Sequence, residues 1–145
     1  MVRWSTIGPI GRALIFAFAL STVAGVTAAL PQEQERDPKD LKNPVPVTPE
    51  SLAAGAQGYT KVCAVCHGAT GHGDGKLAAA TAAYGVRPSN LTDDVWDRGS
   101  SDGEIFVVIR DGIGPDFNMP GFKTRLSDAE IWNVVSYVKG LGGKK

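Results

Sequence analysis

The chain has 145 residues, room for one domain, and its 18 glycines, 9 prolines and 8% aromatic content limit the core it can bury. A small fold this rich in loop formers calls for a covalent or metal staple. Its 15 basic and 15 acidic residues balance, and loss of residues 1–29 would remove Arg3 and Arg12 but no acid, leaving 13 against 15. This excludes the clustered basic face that a sequence-independent grip on nucleic acid needs, so no nucleic-acid partner is expected.

In chain order, Arg3 and Arg12 precede an uncharged run, Ala13–Leu30, that ends in small residues. A positive flank, an apolar centre and a small-residue ending form a secretory signal pattern over 1–29, with cleavage after Ala28 or Ala29. The competing reading is an uncleaved membrane anchor through residues 13–30. Eighteen residues rise about 27 Å as a helix, just short of the ~30 Å hydrocarbon core. Ser21, Thr22, Gly25 and Thr27 dilute the run, and its ending favours processing. Both readings export the domain, to the periplasm or to the outer face of the cytoplasmic membrane. Residues 30–47 follow as a linker: charges alternate in sign, prolines recur at 31, 38, 44 and 46, and no apolar period persists. Its extended reach, roughly 50 Å from Pro31 to Val47, would let an anchored domain sweep between partners. After cleavage it would be a disordered leader or wrap the domain surface.

The domain, 48–145, reads as all-α: three main short helices and long loops around something that fills the middle. Thr48 is placed as an N-cap, Pro49 at the first helical position and Glu50 at the positive end of the dipole. Leu52, Ala56 and Tyr59 share one side of this helix, and Gly55 beside them offers a flat patch for a close crossing. Ser101 and Glu104 form a capping box before the stripe Ile105, Val108 and Ile109, with Gly112 as the stop. Ser127 and Glu130 repeat the device before Ile131, Val134, Val135, Val138 and Leu141. No run alternates with period two for long enough to predict a strand.

Both cysteines and one of the two histidines lie in KVCAVCHGAT, Lys61–Thr70. The spacing C-x-x-C-H is the attachment signature of c-type haem. On a helical turn the sulfurs of Cys63 and Cys66 can each add to one porphyrin vinyl group, and His67 then presents its imidazole to the iron. A structural zinc site would need four ligands, and the chain has no second cysteine pair. A thioredoxin-like pair would sit beside a βαβ pattern that is missing here, and an exported protein can also close a simple disulfide. Haem, one per chain, is the reading that motif and context favour.

Met119, in GIGPDFNMPGF, is the sole methionine besides the initiator and sits 52 positions after His67 in a turn-rich loop. A lone methionine usually fills a core, but a loop thioether opposite a haem site is what a second axial ligand requires, and His/Met is a standard ligation. His72 is the rival ligand; its setting in GATGHGDG favours an exposed loop tip.

The stretches CAVCHG, GHGDG, RPSNL, NMPGF and IWNVVSYVKGL together resemble the class I monohaem cytochromes c of bacteria, over Thr48–Leu141. The resemblance implies a crossing of the first and last helices, with Gly55, Tyr59 and Tyr137 at the contact. It also implies that a proline carbonyl, matched by Pro88, accepts the proximal histidine N–H. Trp96, Trp132 and Phe122 either line the haem or pack in the core, and packing is the commoner fate of aromatics. The implied function is that of a one-electron carrier, not an enzyme, shuttling between respiratory or dehydrogenase partners such as an oxidase or respiratory complex. The alternatives are a haem subunit of a larger redox complex, and a gas sensor or peroxidase-like protein whose Met119 dissociates. The acidic stretch NLTDDVWDRGSSDGE reads as solvated surface more than as a docking face.

Overall fold

The computed structural model describes residues 37–114 and 118–142, all within the compact unit Gln34–Lys145. The expected leader at 1–29, the alternative anchor at 13–30 and the linker residues 30–36 lie outside the described residues. Among the described residues, no helix is long and apolar enough to cross a membrane.

Three helices carry the domain: α1 (Pro49–Val62), α4 (Asp102–Asp111) and α5 (Asp128–Gly142), with the short α2 (Ala64–His67) and α3 (Ala78–Ala82) between the first two. Each long helix starts where a side chain satisfies an orphan amide. Thr48 accepts from the Ser51 amide at 3.1 Å, and Ser51 Oγ accepts from the Thr48 amide at 2.8 Å. The Ser101 and Ser127 amides donate to Glu104 Oε2 and Glu130 Oε2 at 3.0 and 2.8 Å. Hydrogen bonds from Ser101 and Ser127 hold both carboxyls below the usual carboxylate range. At the end of α4, Gly112 takes φ +83°, a conformation L side chains rarely adopt. Beyond it Gly112–Ile113 (β1) pairs antiparallel with Met119–Pro120 (β2), Ile113 opposite Met119. Two-residue strands are too short to alternate, so this pairing has no signature in the sequence.

The core forms where α1 crosses α5. A Cβ on Gly55 would run into the Asn133 carbonyl and lie 2.9 Å from Tyr137 Cβ. Beside this contact the rings of Tyr59 and Tyr137 meet at 5.3 Å, and Tyr59, Ile131, Val134 and Val135 are fully buried. On the other side of α5, Trp132 stacks on Phe106 of α4 at 3.9 Å, so Trp132 is a core residue.

The described part of the 30–47 segment is docked on the domain. Residues 38–40 form a single 3-10 turn over Gly103, where a Cβ would meet the Pro38 carbonyl. Asn43 Nδ2 donates to the Trp132 carbonyl at 3.1 Å and to Ser136 Oγ at 2.9 Å, while Leu41 and Val45 pack on the core. Leu41, Asn43 and Val45 alternate with exposed Lys42 and Pro44, as in an extended strap with one inward face.

Gly55→Ala is expected to cost about 1–3 kcal/mol by forcing α1 off the Asn133 carbonyl. Denaturant unfolding of the holoprotein measures it, and an unchanged midpoint would contradict the close crossing.

Candidate functional site

The site grows directly out of α1. The Cys63 amide donates to the Tyr59 carbonyl at 2.8 Å, closing α1, and the same residue opens α2, where the His67 amide donates back to the Cys63 carbonyl at 2.9 Å. A single helical turn is unstable alone. Here the loop that follows folds back over it. The amides of Leu77, Gly75 and Gly73 donate to the carbonyls of Val65, Cys66 and His67 at 2.9, 3.0 and 2.8 Å. The next carbonyl, that of Gly68, accepts from the Tyr59 hydroxyl at 2.7 Å and from the Gly71 amide at 3.3 Å. This geometry explains the glycines of GHGDG. A Cβ on Gly75 would stand 2.5 Å from the Val65 carbonyl oxygen, and one on Gly73 2.5 Å from that of Pro88. His72 points elsewhere: it is exposed, its Nδ1 is 2.9 Å from Thr70 Oγ1, and it lines neither cavity described below.

The Leu91 amide donates to the Gly71 carbonyl at 2.6 Å, which brings RPSNL across the site. The acceptor for His67 Nδ1 is the Ser89 carbonyl, at 3.0 Å. This corrects the expectation for Pro88. The Pro88 carbonyl is turned against Gly73, so the next peptide group faces the imidazole, and Pro88 contributes only to the wall of the larger cavity. A carbonyl can only accept, so Nδ1 is the protonated nitrogen of this bond, and in the neutral ring the lone pair then lies on Nε2. That is the tautomer a metal-bound imidazole needs.

Two cavities, of about 540 and 100 Å³, share Cys63, His67, Ser89, Asp97, Arg98, Ile113 and Met119 as walls. The larger also reaches Cys66, Pro88 and Phe122, and the smaller reaches Tyr59 and half-buried Trp96. A volume of this size is that of a cofactor pocket. Met119 is held there by strand pairing with Ile113 and packs partly buried against the core. The base of its loop is clamped: the Phe122 and Lys123 amides donate to the carbonyls of Ile109 and Arg110 at 3.0 and 3.1 Å. Asp111 Oδ2 accepts from Arg110 at 2.8 Å and Oδ1 from Lys123 at 3.2 Å.

Two thiols, an imidazole with a free Nε2 and a thioether thus meet on one cavity. Burial, and then the neighbouring Cys66, push the Cys63 thiol up to about 12. Cys63 therefore lacks the thiolate character of an attacking redox cysteine. Among the described residues no three of His, Cys, Asp and Glu gather into a metal-binding group. The donor set fits haem c, with Cys63 and Cys66 able to hold the porphyrin edge and His67 and Met119 able to take the iron.

The fold is that of a small c-type cytochrome. A family model described as cytochrome C oxidase, cbb3-type, subunit III, matches residues 50–138, and the chain belongs to that family. Its cofactor is covalently attached haem c. The Cbb3-type cytochrome c oxidase subunit CcoP of Rhodobacter capsulatus is 34% identical over 103 residues, 68% of this chain and 32% of that protein. The cytochrome c subunit of the alcohol dehydrogenase (quinone) of Gluconobacter oxydans is 36% identical over 97 residues, 61% of this chain and 18% of that protein. The chain therefore spans a third or less of the length of these curated relatives. Among solved structures, the Kuenenia stuttgartiensis reducing HAO-like protein complex Kustc0457/Kustc0458 aligns with TM-score 0.57 and 30% identity, over 70% of this chain and 49% of that one.

Asp111 lies below the ordinary carboxylate range, through its hydrogen bond from Arg110 first and Lys123 next. Its contribution to the loop clamp is therefore present above the unfolded value and lost as pH falls through the lower folded one. Solvent screening limits it to about 1 kcal/mol or less. Asp111→Asn should speed exchange of the Phe122 and Lys123 amides by up to about fivefold at neutral pH. The unsubstituted protein should lose the same protection only in acid, and NMR amide exchange, taken relative to the intrinsic exchange rate at each pH, checks both.

Proposed function

We propose that this domain is a class I monohaem one-electron carrier, with its haem c held by thioethers from Cys63 and Cys66 and ligated by His67 and Met119. The observation that carries the proposal is the His67 Nδ1–Ser89 bond. It leaves Nε2 as the free donor of a residue that shares both cavities with the Met119 thioether. Bound haem c supplies a one-electron Fe(III)/Fe(II) couple. The protein's part is to hold that couple still: the α2 turn, braced by the 73–77 amides, fixes the cysteines and His67, and the β1–β2 pair fixes Met119. With His67 and Met119 both held in place, little would need to reorganise on electron exchange, and thioether ligation would raise the potential relative to two nitrogen ligands.

A second reading shares this chemistry. The domain passes electrons as a subunit of a larger redox complex, and in either case the domain itself catalyses no reaction. The names of its relatives favour this, since they are a subunit of a cbb3-type oxidase and the cytochrome subunit of a quinone alcohol dehydrogenase. The partners are redox proteins met outside the cytoplasm. The leader pattern in residues 1–29 supports that location, whether cleaved or retained as an anchor. A free shuttle would use a small, transient interface. A gas-sensing role is the weakest reading, because the Met119 loop is clamped at its base by two backbone hydrogen bonds and the Asp111 pairs.

Mass and absorption spectra of the native protein, from membranes and from the soluble exported fraction, test these statements together. A covalently bound, low-spin haem with no carbon monoxide complex is expected, and a mature chain lacking covalent haem would sink the proposal. Co-purification with an oxidase or dehydrogenase would select the subunit reading. Met119→Ala should keep the haem attached but lower the potential and free the sixth position. Redox titration with an unchanged spectrum and potential would remove Met119 from the site.

A further inference from the structure

We propose that the Tyr59 hydroxyl is a positioning group for the redox centre: by holding the Gly68 carbonyl it fixes the peptide after His67 and, through it, the orientation of the imidazole. This inference rests on the reading of His67 as an iron ligand. Tyr59 is 1% exposed, and it brackets the whole cysteine–histidine turn. Its carbonyl accepts from the Cys63 amide at 2.8 Å, at the start of the turn, and its hydroxyl donates to the Gly68 carbonyl at 2.7 Å, just past its end.

The Gly68 position needs such a bond more than its neighbours do. The carbonyls of Val65, Cys66 and His67 each have a loop amide within 3.0 Å, whereas the loop amide on the Gly68 carbonyl, from Gly71, is 3.3 Å away. Gly68 is buried and sits at φ +82°, and a Cβ there would collide with the Asp74 carboxylate. The chain direction after His67 is therefore set by a glycine in a left-handed conformation whose short hydrogen bond comes from the tyrosine. Burial pushes the phenol far above its ordinary range, so it remains a donor at any working pH. A phenylalanine would fill the same space in the α1–α5 seam and remove only the hydroxyl. The Gly68 carbonyl would then be left with only the longer amide bond in a buried setting.

The consequence for the redox centre follows from ring chemistry. A His67 free to rotate makes a poorer Nδ1–H bond to the Ser89 carbonyl. The imidazole then has less anionic character and stabilises the ferric state less, so the potential moves upward. A residue that merely packs would lower stability and leave these properties alone.

The test compares Tyr59→Phe with Val135→Ala in the haem-bearing protein. Val135 is fully buried in the same core but lines neither cavity. Tyr59→Phe should retain haem, shift the reduction potential positive and speed solvent exchange of the His67 Nδ1 proton about tenfold. Val135→Ala should unfold more readily with both readouts at the unsubstituted values. If Tyr59→Phe behaves like Val135→Ala, the proposal is wrong. Should Tyr59→Phe fail to fold, site-specific fluorotyrosine at position 59 strengthens the hydroxyl as a donor without changing its shape. It should then move the potential negative, and no shift would overturn the proposal. Failure of the underlying reading shows separately, as an unsubstituted protein without haem or without a His67 ligand.

Discussion

Three of the four groups that define the site sit on or beside one turn of helix, and one turn of helix cannot hold itself together. Cys63, Cys66 and His67 stay in register because the loop from Gly68 to Leu77 returns over them and meets the exposed carbonyls with its own amides. That return requires backbone to pass against backbone, which Gly73 and Gly75 permit. The rest of the domain is arranged around this turn. The crossing of α1 and α5 at Gly55 sets the direction from which the chain enters it, and the Leu91–Gly71 bond carries the Ser89 carbonyl to the far side of the imidazole.

The part of the wall that carries Met119 is built by a different device. Met119 belongs to no helix; two backbone pairs between residues 112–113 and 119–120, followed by amide bonds to the end of α4, tie it to a rigid element. The site therefore joins a helical turn held by loop amides to a hairpin held by a helix end. Both supports run through backbone groups, which explains why glycine at 73, 75, 112 and 121 crowds against neighbouring main chain.

What could be read from the sequence was what is decided locally. Thr48, Ser101 with Glu104, and Ser127 with Glu130 cap helices within four residues, so their roles were visible, although Ser51 as the partner of Thr48 was not foreseen. The apolar spacing of α5 and the glycine at 55 pointed to the seam. The misplaced details depend on distant backbone. Which carbonyl meets His67 is fixed by how residues 88–91 lie against Gly71 and Gly73, so Pro88 was named where Ser89 acts. For the linker segment, wrapping the domain surface was one of the courses open to it, and the prolines and alternating charges of 37–47 did not show where it would dock. Its inward face, Leu41, Asn43 and Val45, was present as a period of two, but Asn43 finds its partners 89 and 93 residues away.

The strand pair at the base of the methionine loop also separates two properties that a plain loop would tie together. Ile113 opposite Met119 sets where the sulfur stands, whatever the length of the chain that joins them. Because closure entropy grows slowly with length, residues can be gained or lost between 114 and 118 while the register of the sulfur is kept. The place of the Met119 sulfur on the cavity wall is thus decoupled from the length of the connection that precedes it.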